Sequence, residues 1–390
     1  MSGSTRLHAL DGVRGVAAFV VVLYHLSLIA RPFLSRGDTS TAWQLATETP
    51  AKLAFAGTEA VLVFFVLSGL VVVLPALREG FSWAGFLVSR AVRLYLPVWG
   101  ALLFAALLIA LLPRDPARVA DGEWIVDANA RTLDAGQLLA EASLTPASYD
   151  VVNVLWSLRW ELVFTLLLPL FVVIAVVGRR HVALLGALAL GGTILGRILD
   201  LEALVYLPVF LLGSLIAVRL DDFRRWAAAR PRPLLWGLGG AASAAMLIAS
   251  WLGRPIAESD SLLGRTLWGL AGVGAVGIIL VAIGSPAISR LLEARVSQWL
   301  GRVSFSLYLV HVPIIASVAF LTGDERWWLV AAISVPLSLL AAELFHRVVE
   351  RPSHRLARQV GRRVGRASAA LRPPRDAAEP ARSASGSPGR

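Results

Sequence analysis

The 390-residue chain contains no cysteine, a single lysine (Lys52) and few charged residues. Without cysteine it can form no disulfide, no thiolate metal site and no cysteine nucleophile. Charged side chains make up 16% of the chain, whereas soluble domains carry about 25%. The sequence also lacks Gly-x4-Gly-Lys-[Ser/Thr] and His-Glu-x-x-His, so neither a P-loop nor a zincin site is expected, and no metal ion is predicted.

Apolar residues take the place of the missing charges. They account for 57% of the chain, compared with about 45–50% in soluble domains, and the mean hydropathy is +0.69. A helix crosses the hydrocarbon core with about 20 mostly apolar residues. The sequence therefore predicts an all-α fold, a polytopic membrane helical bundle with about ten transmembrane helices. The predicted spans are roughly 12–30, 53–77, 94–112, 154–178, 181–198, 203–219, 233–252, 266–284, 303–321 and 327–349.

The net charge of +11 is explained by the predicted topology. If the N-terminus lies inside, most arginines fall in segments on that side, and basic residues are enriched in cytoplasmic loops. We therefore expect a multi-pass protein with both termini in the cytoplasm. The lipid bilayer is then the partner that accounts for the charge, and no nucleic-acid partner is predicted.

Two regions lie outside the predicted spans. The loop 113–153 is rich in acidic residues and is expected to face outward. Residues 357–390 are rich in arginine, proline and serine, which predicts a disordered, basic cytoplasmic tail able to lie against anionic lipid. Residues 1–356 then form one membrane domain.

Arg14 and His25 lie within the first predicted span, and ionisable groups inside a span are costly and often functional. Eleven residues bring a helical side chain back to within about 20° of the same face, about 16 Å further along the axis. One helix face thus offers an anion-binding group and a titratable base at two depths. The structural alternative is that Arg14 extends to the lipid headgroups and His25 contacts a neighbouring helix.

Polar groups also mark the second and third spans. Glu59 and Ser68 lie in the second, where Ser68 and Gly69 could simply permit close helix packing. Arg90 and Arg93 precede the third at helical spacing. They form a two-pronged anion site, although the cytoplasmic bias of arginine alone would also place them there.

The fourth span begins with Trp156, which is typical of the aromatic belt at a membrane interface. Glu161 follows about one turn inside the membrane. Its expected partner is Arg159 or a histidine elsewhere in the chain, so a purely structural ion pair is one alternative.

The ninth span carries Ser304, Tyr308 and His311 on a single helical stripe. These groups could contact a substrate. Alternatively, His311 only hydrogen-bonds a backbone carbonyl left without its partner by Pro313.

Taken together and in this order, the motifs resemble those of the acyltransferase 3 family, integral membrane enzymes that acylate sugars and other hydroxyl compounds. The resemblance covers about residues 7–356. It rests on Leu10-Asp11-Gly12-Val13-Arg14-Gly15 with the Arg14-x10-His25 spacing, Phe64-Phe65-x-x-Ser68-Gly69, Arg90-x-x-Arg93, Trp156-Ser157-Leu158-x-x-Glu161, Ser306-Leu-Tyr308-Leu-x-His311-x-Pro313 and Glu350-Arg351-Pro352.

The resemblance implies that Arg14 and His25 are essential and that acyl-coenzyme A, in the commonest case acetyl-coenzyme A, is the donor. It also implies a bacterial cytoplasmic membrane and O-acetylation in the cell envelope. Arg159 departs from the family pattern, in which a small or apolar residue is more usual. A pair between Arg159 and Glu161 would alter the site.

A hydroxyl group that attacks a thioester needs a base, and imidazole suits that task near neutral pH. We assign this role to His25, with Glu161 or Glu59 orienting its ring. Guanidinium groups match phosphate oxygens, so Arg14, Arg90 and Arg93 are candidate ligands of the coenzyme A phosphates. Ser68 is a further candidate donor-binding residue, and Trp156, Tyr308 and His311 are substrate-binding or structural candidates.

The alternative function is a transporter or flippase that uses the same arginine and histidine side chains to bind its substrate. Transporters often contain internal repeats, and none is evident between the two halves of this chain. Within the enzyme hypothesis the acceptor is an envelope carbohydrate, a glycolipid or a secondary metabolite. Whether His25 acts as a base or is itself acylated stays open.

Overall fold

The computed structural model describes residues 8–35, 40–120, 123–230 and 232–370, which are mostly helical and contain no strand. The first nine helices are α1 (His8–Leu34), α2 (Ser40–Thr47), α3 (Gly57–Ala76), α4 (Trp83–Leu111), α5 (Trp124–Asp127), α6 (Ala135–Ser143), α7 (Leu155–Leu166), α8 (Leu168–Val177) and α9 (Val182–Ile198). The remainder are α10 (Glu202–Ala228), α11 (Pro233–Leu247), α12 (Ala249–Leu252), α13 (Leu262–Gly269), α14 (Ala271–Gly284), α15 (Pro286–Leu292), α16 (Arg295–Thr322), α17 (Trp327–Phe345) and α18 (Arg351–Ala370).

Eight helical segments among the described residues are long and apolar enough to cross a membrane. They confirm the predicted all-α membrane bundle, and their number is close to the ten predicted spans. The difference arises where helices are broken. The predicted span 154–178 is interrupted at Leu167, and its second half is linked to the next span by a short 3-10 turn (Gly178–His181), so that residues 168–198 contain no break in helical structure although the chain turns there. The predicted span 233–252 is interrupted at Ile248.

Contacts with α10 show how the chain turns between α8 and α9. The Phe164 ring of α7 stacks on Phe210 of α10, with ring centroids 4.5 Å apart. At the turn after α8, Arg179 pairs with Asp222, near the end of α10. The backbone of α9 then returns, so that Gly196 lies against the start of α10. The segments α7–α8 and α9 therefore run along α10 in opposite directions, as two separate crossings require.

The centre of the bundle is α16, which is buried almost continuously between Val303 and Phe320 and packs against α1, α4 and α17. Close approach of α1 and α16 depends on glycine. A Cβ on Gly15 would lie 2.4 Å from the backbone nitrogen of Gly301. Small residues at such contacts let membrane helices pack backbone to backbone. The end of the bundle at which α1 begins is called the proximal end below, and the end at which α1 finishes is the distal end.

Part of the loop 113–153 is buried in the distal half of the bundle, whereas other parts of it, such as residues 131–136, are exposed. Glu141 of α6 is fully buried and accepts hydrogen bonds from the backbone N–H groups of Val151 (2.9 Å) and Val152 (3.0 Å). The chain then enters α7 next to Tyr308, which lies at the middle of α16. Trp156, next to Ser157, is half-buried against the apolar residues of the bundle. Apolar residues between the acidic ones drive this burial.

The predicted disordered tail begins as a helix. After α17 the chain forms a π-helical turn (His346–Glu350) and continues into α18, which packs along the first half of α4. Gly361 and Gly85 make this contact close, because a Cβ on either would lie within 2.7 Å of the other's carbonyl oxygen. Residues 357–370 are thus ordered against the bundle. Residues 371–390 lie outside the described part of the chain.

Candidate active site

A cavity of about 180 Å³ lies between α1, α3, α4, α7, α16 and α18. Its lining combines most of the polar residues singled out from the sequence with apolar walls. The lining residues are Leu10, Asp11, Arg14, Val61, Phe64, Phe65, Leu67, Ser68, Val71, Val72, Arg90, Arg93, Leu94, Ser157, Leu158, Glu161, Ser304, Phe305, Tyr308 and His354. Residues from six helices, distant in sequence, thus share one space.

Arg90 is held by a carboxylate on the cavity wall. Its Nη2 donates to Glu161 Oε1 of α7, and its Nε donates to Thr165 Oγ1 (3.4 Å). The Ser68 hydroxyl also donates to Glu161 Oε1 (3.4 Å). The expected pair between Arg159 and Glu161 is wrong. Arg159 instead lies 3.7 Å from the carboxylate of Glu202 and over the Trp160 ring, because it projects from the opposite face of α7.

Arg93 is an exposed lining residue at the proximal end of the cavity, which is called its mouth below, and its Nε donates to His354 Nε2 of α18 (3.1 Å). One turn earlier, the buried carboxylate of Glu350 accepts hydrogen bonds from Ser306 (2.5 Å) and His346 (3.0 Å). Sequence reasoning missed His354 altogether. A usable signal was present, since Glu350 and His354 share a helix face at a spacing of four residues.

The other end of the cavity is closed by Tyr308 and Ser157, whose hydroxyl oxygens are 2.7 Å apart. The Phe64 ring packs edge-on against Tyr308, with centroids 5.8 Å apart. His311 follows one turn further along α16, and its ring centroid lies 6.1 Å from that of Tyr308. The cavity therefore leads from arginines at its mouth to a hydrogen-bonded barrier in front of a histidine.

Behind that barrier, His25 and His311 form a buried pair. His25 Nδ1 lies 3.1 Å from His311 Nε2 and 2.9 Å from the Val21 carbonyl oxygen, while His311 Nδ1 lies 2.9 Å from the Leu307 carbonyl oxygen. Trp124 of α5 covers His25, with ring centroids 5.1 Å apart. His25 is 6% exposed and His311 is fully buried, so this conformation shields both rings from solvent.

Glu161 and Glu59, the two carboxylates expected to orient His25, have other hydrogen-bond partners. Glu161 holds Arg90, and Glu59 accepts from Trp251 Nε1 (2.9 Å) and from the Thr58 hydroxyl (2.9 Å). The ring in hydrogen-bonding contact with His25 is His311 instead. Sequence spacing could not show this, because 286 residues separate the two histidines.

Two further residues singled out from the sequence, Trp156 and His311, lie outside the cavity lining. Trp156 packs against Tyr206 of α10, with centroids 5.3 Å apart. His311 does not bond the carbonyl that Pro313 leaves without a donor, which is that of Leu309 in a regular helix. His311 bonds the Leu307 carbonyl oxygen instead.

Among the described residues, no cluster of three histidine or carboxylate side chains is arranged to hold a metal ion.

Comparison with known proteins shows similarity to acyltransferases. A family model described as "Acyltransferase domain" matches residues 7–347. Peptidoglycan O-acetyltransferase OatA of Listeria monocytogenes is 23% identical over 381 residues, which cover 88% of this chain and 55% of that protein. O-acetyltransferase PaAT-1 of Phomopsis amygdali is 23% identical over 446 residues, which cover 91% of this chain and 84% of that protein. This chain thus spans about half the length of the Listeria protein. No solved structure matches it.

Proposed function

The chain belongs to the acyltransferase family whose model matches residues 7–347, as its motifs indicated, and we propose that it transfers an acetyl group from acetyl-coenzyme A to a hydroxyl group. One observation carries the proposal. A single cavity has arginines at its mouth and apolar walls, and it ends one helical turn from the buried pair His25 and His311. This order matches a donor with an anionic head, a slender arm and a reactive thioester at its tip.

Arg14 and Arg93 are the proposed ligands of the coenzyme A phosphates. Both line the mouth, and guanidinium groups bind phosphate through charge-assisted hydrogen bonds. Arg90 already donates to Glu161 and Thr165, so its proposed role is to hold Glu161 and shape the wall with Ser68. The thioester arm would then lie along the apolar lining near Phe64.

His25 is the proposed base that takes the proton of the acceptor hydroxyl. Tyr308 and Ser157 separate His25 from the cavity, so their hydrogen bond must break before the acetyl group meets the acceptor at His25. Opening and closing of such a barrier would also keep water from the thioester.

Coenzyme A is a cytoplasmic metabolite, so the proximal end of the bundle is proposed to face the cytoplasm. The basic helix α18 extends from the same end. Both termini would then lie in the cytoplasm of a cell in whose membrane the bundle is embedded, in agreement with the distribution of arginine.

A carbohydrate hydroxyl is the acceptor we favour. The Listeria relative is named as a peptidoglycan O-acetyltransferase, and peptidoglycan is a carbohydrate polymer. The Phomopsis relative is named only as an O-acetyltransferase, which leaves glycolipids and secondary metabolites as further acceptors for testing.

The test uses purified protein in detergent with radiolabelled acetyl-coenzyme A and chitotetraose, an oligosaccharide of N-acetylglucosamine. Transfer of label to the sugar, with release of coenzyme A, supports the proposal. The matched control is the same protein with His25→Gln. If vesicles containing the protein take up the labelled sugar or the donor intact and form no ester, the transporter alternative replaces the enzyme.

A further inference from the structure

The hydrogen bonds around His311 determine which of its ring nitrogens carries a proton. Its Nδ1 lies 2.9 Å from the Leu307 carbonyl oxygen, which can only accept a hydrogen bond. Nδ1 of His311 therefore carries hydrogen. In the neutral ring the other nitrogen, Nε2, then presents a lone pair.

The contacts of His25 also determine which of its ring nitrogens carries a proton. Its Nδ1 faces two acceptors, the Val21 carbonyl oxygen at 2.9 Å and the Nε2 lone pair of His311 at 3.1 Å. Nδ1 of His25 therefore carries hydrogen and shares it between them, which leaves Nε2 of His25 with the lone pair that a base needs. The opposite arrangement would place a lone pair of His25 Nδ1 directly against the Val21 carbonyl oxygen. It would also leave a fully buried His311 charged.

We propose that His311 is the positioning residue of the reaction, which together with the Val21 carbonyl oxygen holds His25 in the tautomer whose Nε2 is free. The inference rests on the proposed function and assigns to His311 the orienting role that sequence reasoning gave to Glu161 or Glu59. Fixing the tautomer and orientation of a catalytic imidazole is worth orders of magnitude in rate in hydrolases that use a histidine base.

In the proposed reaction, the acceptor hydroxyl gives its proton to Nε2 of His25 while its oxygen forms a bond to the acetyl carbon. The carbon–sulfur bond of the thioester breaks, and the proton passes from His25 to the sulfur of coenzyme A. While His25 holds this second proton, its Nδ1–H still donates to His311 Nε2, which stabilises the charged ring.

Packing around the pair supports a fixed ring orientation. Tyr24 meets the His25 ring edge-on, with centroids 5.1 Å apart, and Trp124 lies at the same distance. His311 lies outside the cavity lining, one turn beyond Tyr308. A change at His311 should therefore alter catalysis at His25 without altering donor binding at the arginines.

The kinetic test compares two substitutions at His311 in purified full-length protein. His311→Gln can place an amide oxygen where Nε2 lies and keeps an acceptor for His25, whereas His311→Leu removes it. We expect His311→Leu to lower kcat about 10²- to 10⁴-fold with KM for acetyl-coenzyme A changed less than about twofold, and His311→Gln to retain kcat within about tenfold.

Ser317→Ala is the matched control for these variants. It removes another buried polar group from α16, one that bonds the Pro313 carbonyl, and should leave kcat unchanged. Equal losses of kcat in His311→Leu and His311→Gln would overturn the proposal, because the acceptor would then be irrelevant. Unchanged kcat in His311→Leu would overturn it as well.

A measurement that does not use activity separates this inference from the proposed function. The chain has six histidines, so ¹⁵N-histidine NMR of the wild-type protein in nanodiscs can resolve each ring once His25→Gln assigns the signal of His25. The expected signal of His25 is a neutral ring protonated at Nδ1. Protonation at Nε2 instead would overturn the inference whatever the activity. A ring protonated at Nδ1 in a protein that transfers no acetyl group would count against the proposed function alone.

Discussion

Arg90 of α4 and Glu161 of α7 form an ion pair on the wall of the cavity, although the two residues are 71 positions apart in the sequence. Arg90 and Arg93 therefore have different partners, although the sequence spacing predicts that both bind the same anion. Arg90 is bound to Glu161 within the protein, whereas Arg93 lies exposed at the mouth and donates a hydrogen bond to His354 of α18.

Arg93→Ala should therefore raise the KM for acetyl-coenzyme A more than Arg90→Ala does. Loss of one charge-assisted hydrogen bond costs about 1.5–3 kcal/mol. That is about 10- to 150-fold in affinity. Steady-state kinetics with varied donor measures the effect, and Arg326→Ala, which removes an exposed arginine at the distal end, is the control. A donor KM for Arg93→Ala equal to that of the control would remove Arg93 from the donor site.

Gly213 should not tolerate a side chain. It faces Gly69 of α3, and a Cβ at position 213 would lie 2.0 Å from the Val66 carbonyl oxygen. We expect Gly213→Ala to destabilise the protein by about 1–3 kcal/mol or more, since neither backbone can move aside in a packed bundle. Gly191→Ala is the matched control, because nothing lies within 4 Å of its new Cβ. It should be neutral or slightly stabilising, as alanine favours a helix interior. Tryptophan-fluorescence melting in detergent compares the two, and equal midpoints would contradict the packing.

Lys52 should make stability depend on pH in the alkaline range. Burial lowers the pKa of Lys52 to about 8, because desolvation disfavours the charged ammonium and Arg254 repels it, while Glu59 acts in the opposite direction. The unfolded chain keeps its proton up to about pH 10.4, so it binds more protons than the folded protein between these values. Folding stability should accordingly rise as pH increases from about 8 to about 10.4, by about 3 kcal/mol in total.

Lys52→Met tests this pH dependence. Without the amine, the melting midpoint should lose the rise above pH 8, while the wild-type midpoint keeps it. Melting curves of both proteins at several alkaline pH values provide the measurement. Parallel curves would show that Lys52 stays charged in the folded state at every pH tested.

The topology can be tested by cysteine labelling, because the chain has no cysteine of its own. Leu133→Cys lies in the distal loop and Ala369→Cys near the end of α18, and both side chains are exposed. In intact cells an impermeant maleimide should label position 133, and should label position 369 only after permeabilisation. The reverse pattern would place the arginine mouth outside the cell, away from coenzyme A.

Sequence reasoning performs best where one helix contains the whole pattern. The apolar segments that it identifies are helical in the structure, and the eleven-residue spacing places Arg14 in the cavity and His25 deeper along the same helix. It fails where a contact joins distant segments. Neither periodicity nor composition could show that His311 would meet His25 or that Glu161 would meet Arg90.

Composition also misleads in two regions. The acidic composition of the loop 113–153 does not reveal that Glu141 is buried and that the chain there reaches the middle of the bundle. The arginine-rich segment 357–370 resembles a disordered tail, but small residues recur every four positions, at Ser353, Ala357 and Gly361, and form a buried stripe against α4. A stripe of small residues is a packing signal that overall charge obscures.

The most direct measurement of the central claim is release of free thiol from acetyl-coenzyme A by the purified protein, with chitotetraose as acceptor. The protein contributes no thiol to the readout, because it contains no cysteine. We predict steady thiol release by the wild-type protein and a rate about 10²- to 10⁴-fold lower for His25→Gln, whose side chain still forms hydrogen bonds but cannot take up a proton near neutral pH. Thiol release by His25→Gln at the wild-type rate would contradict the account.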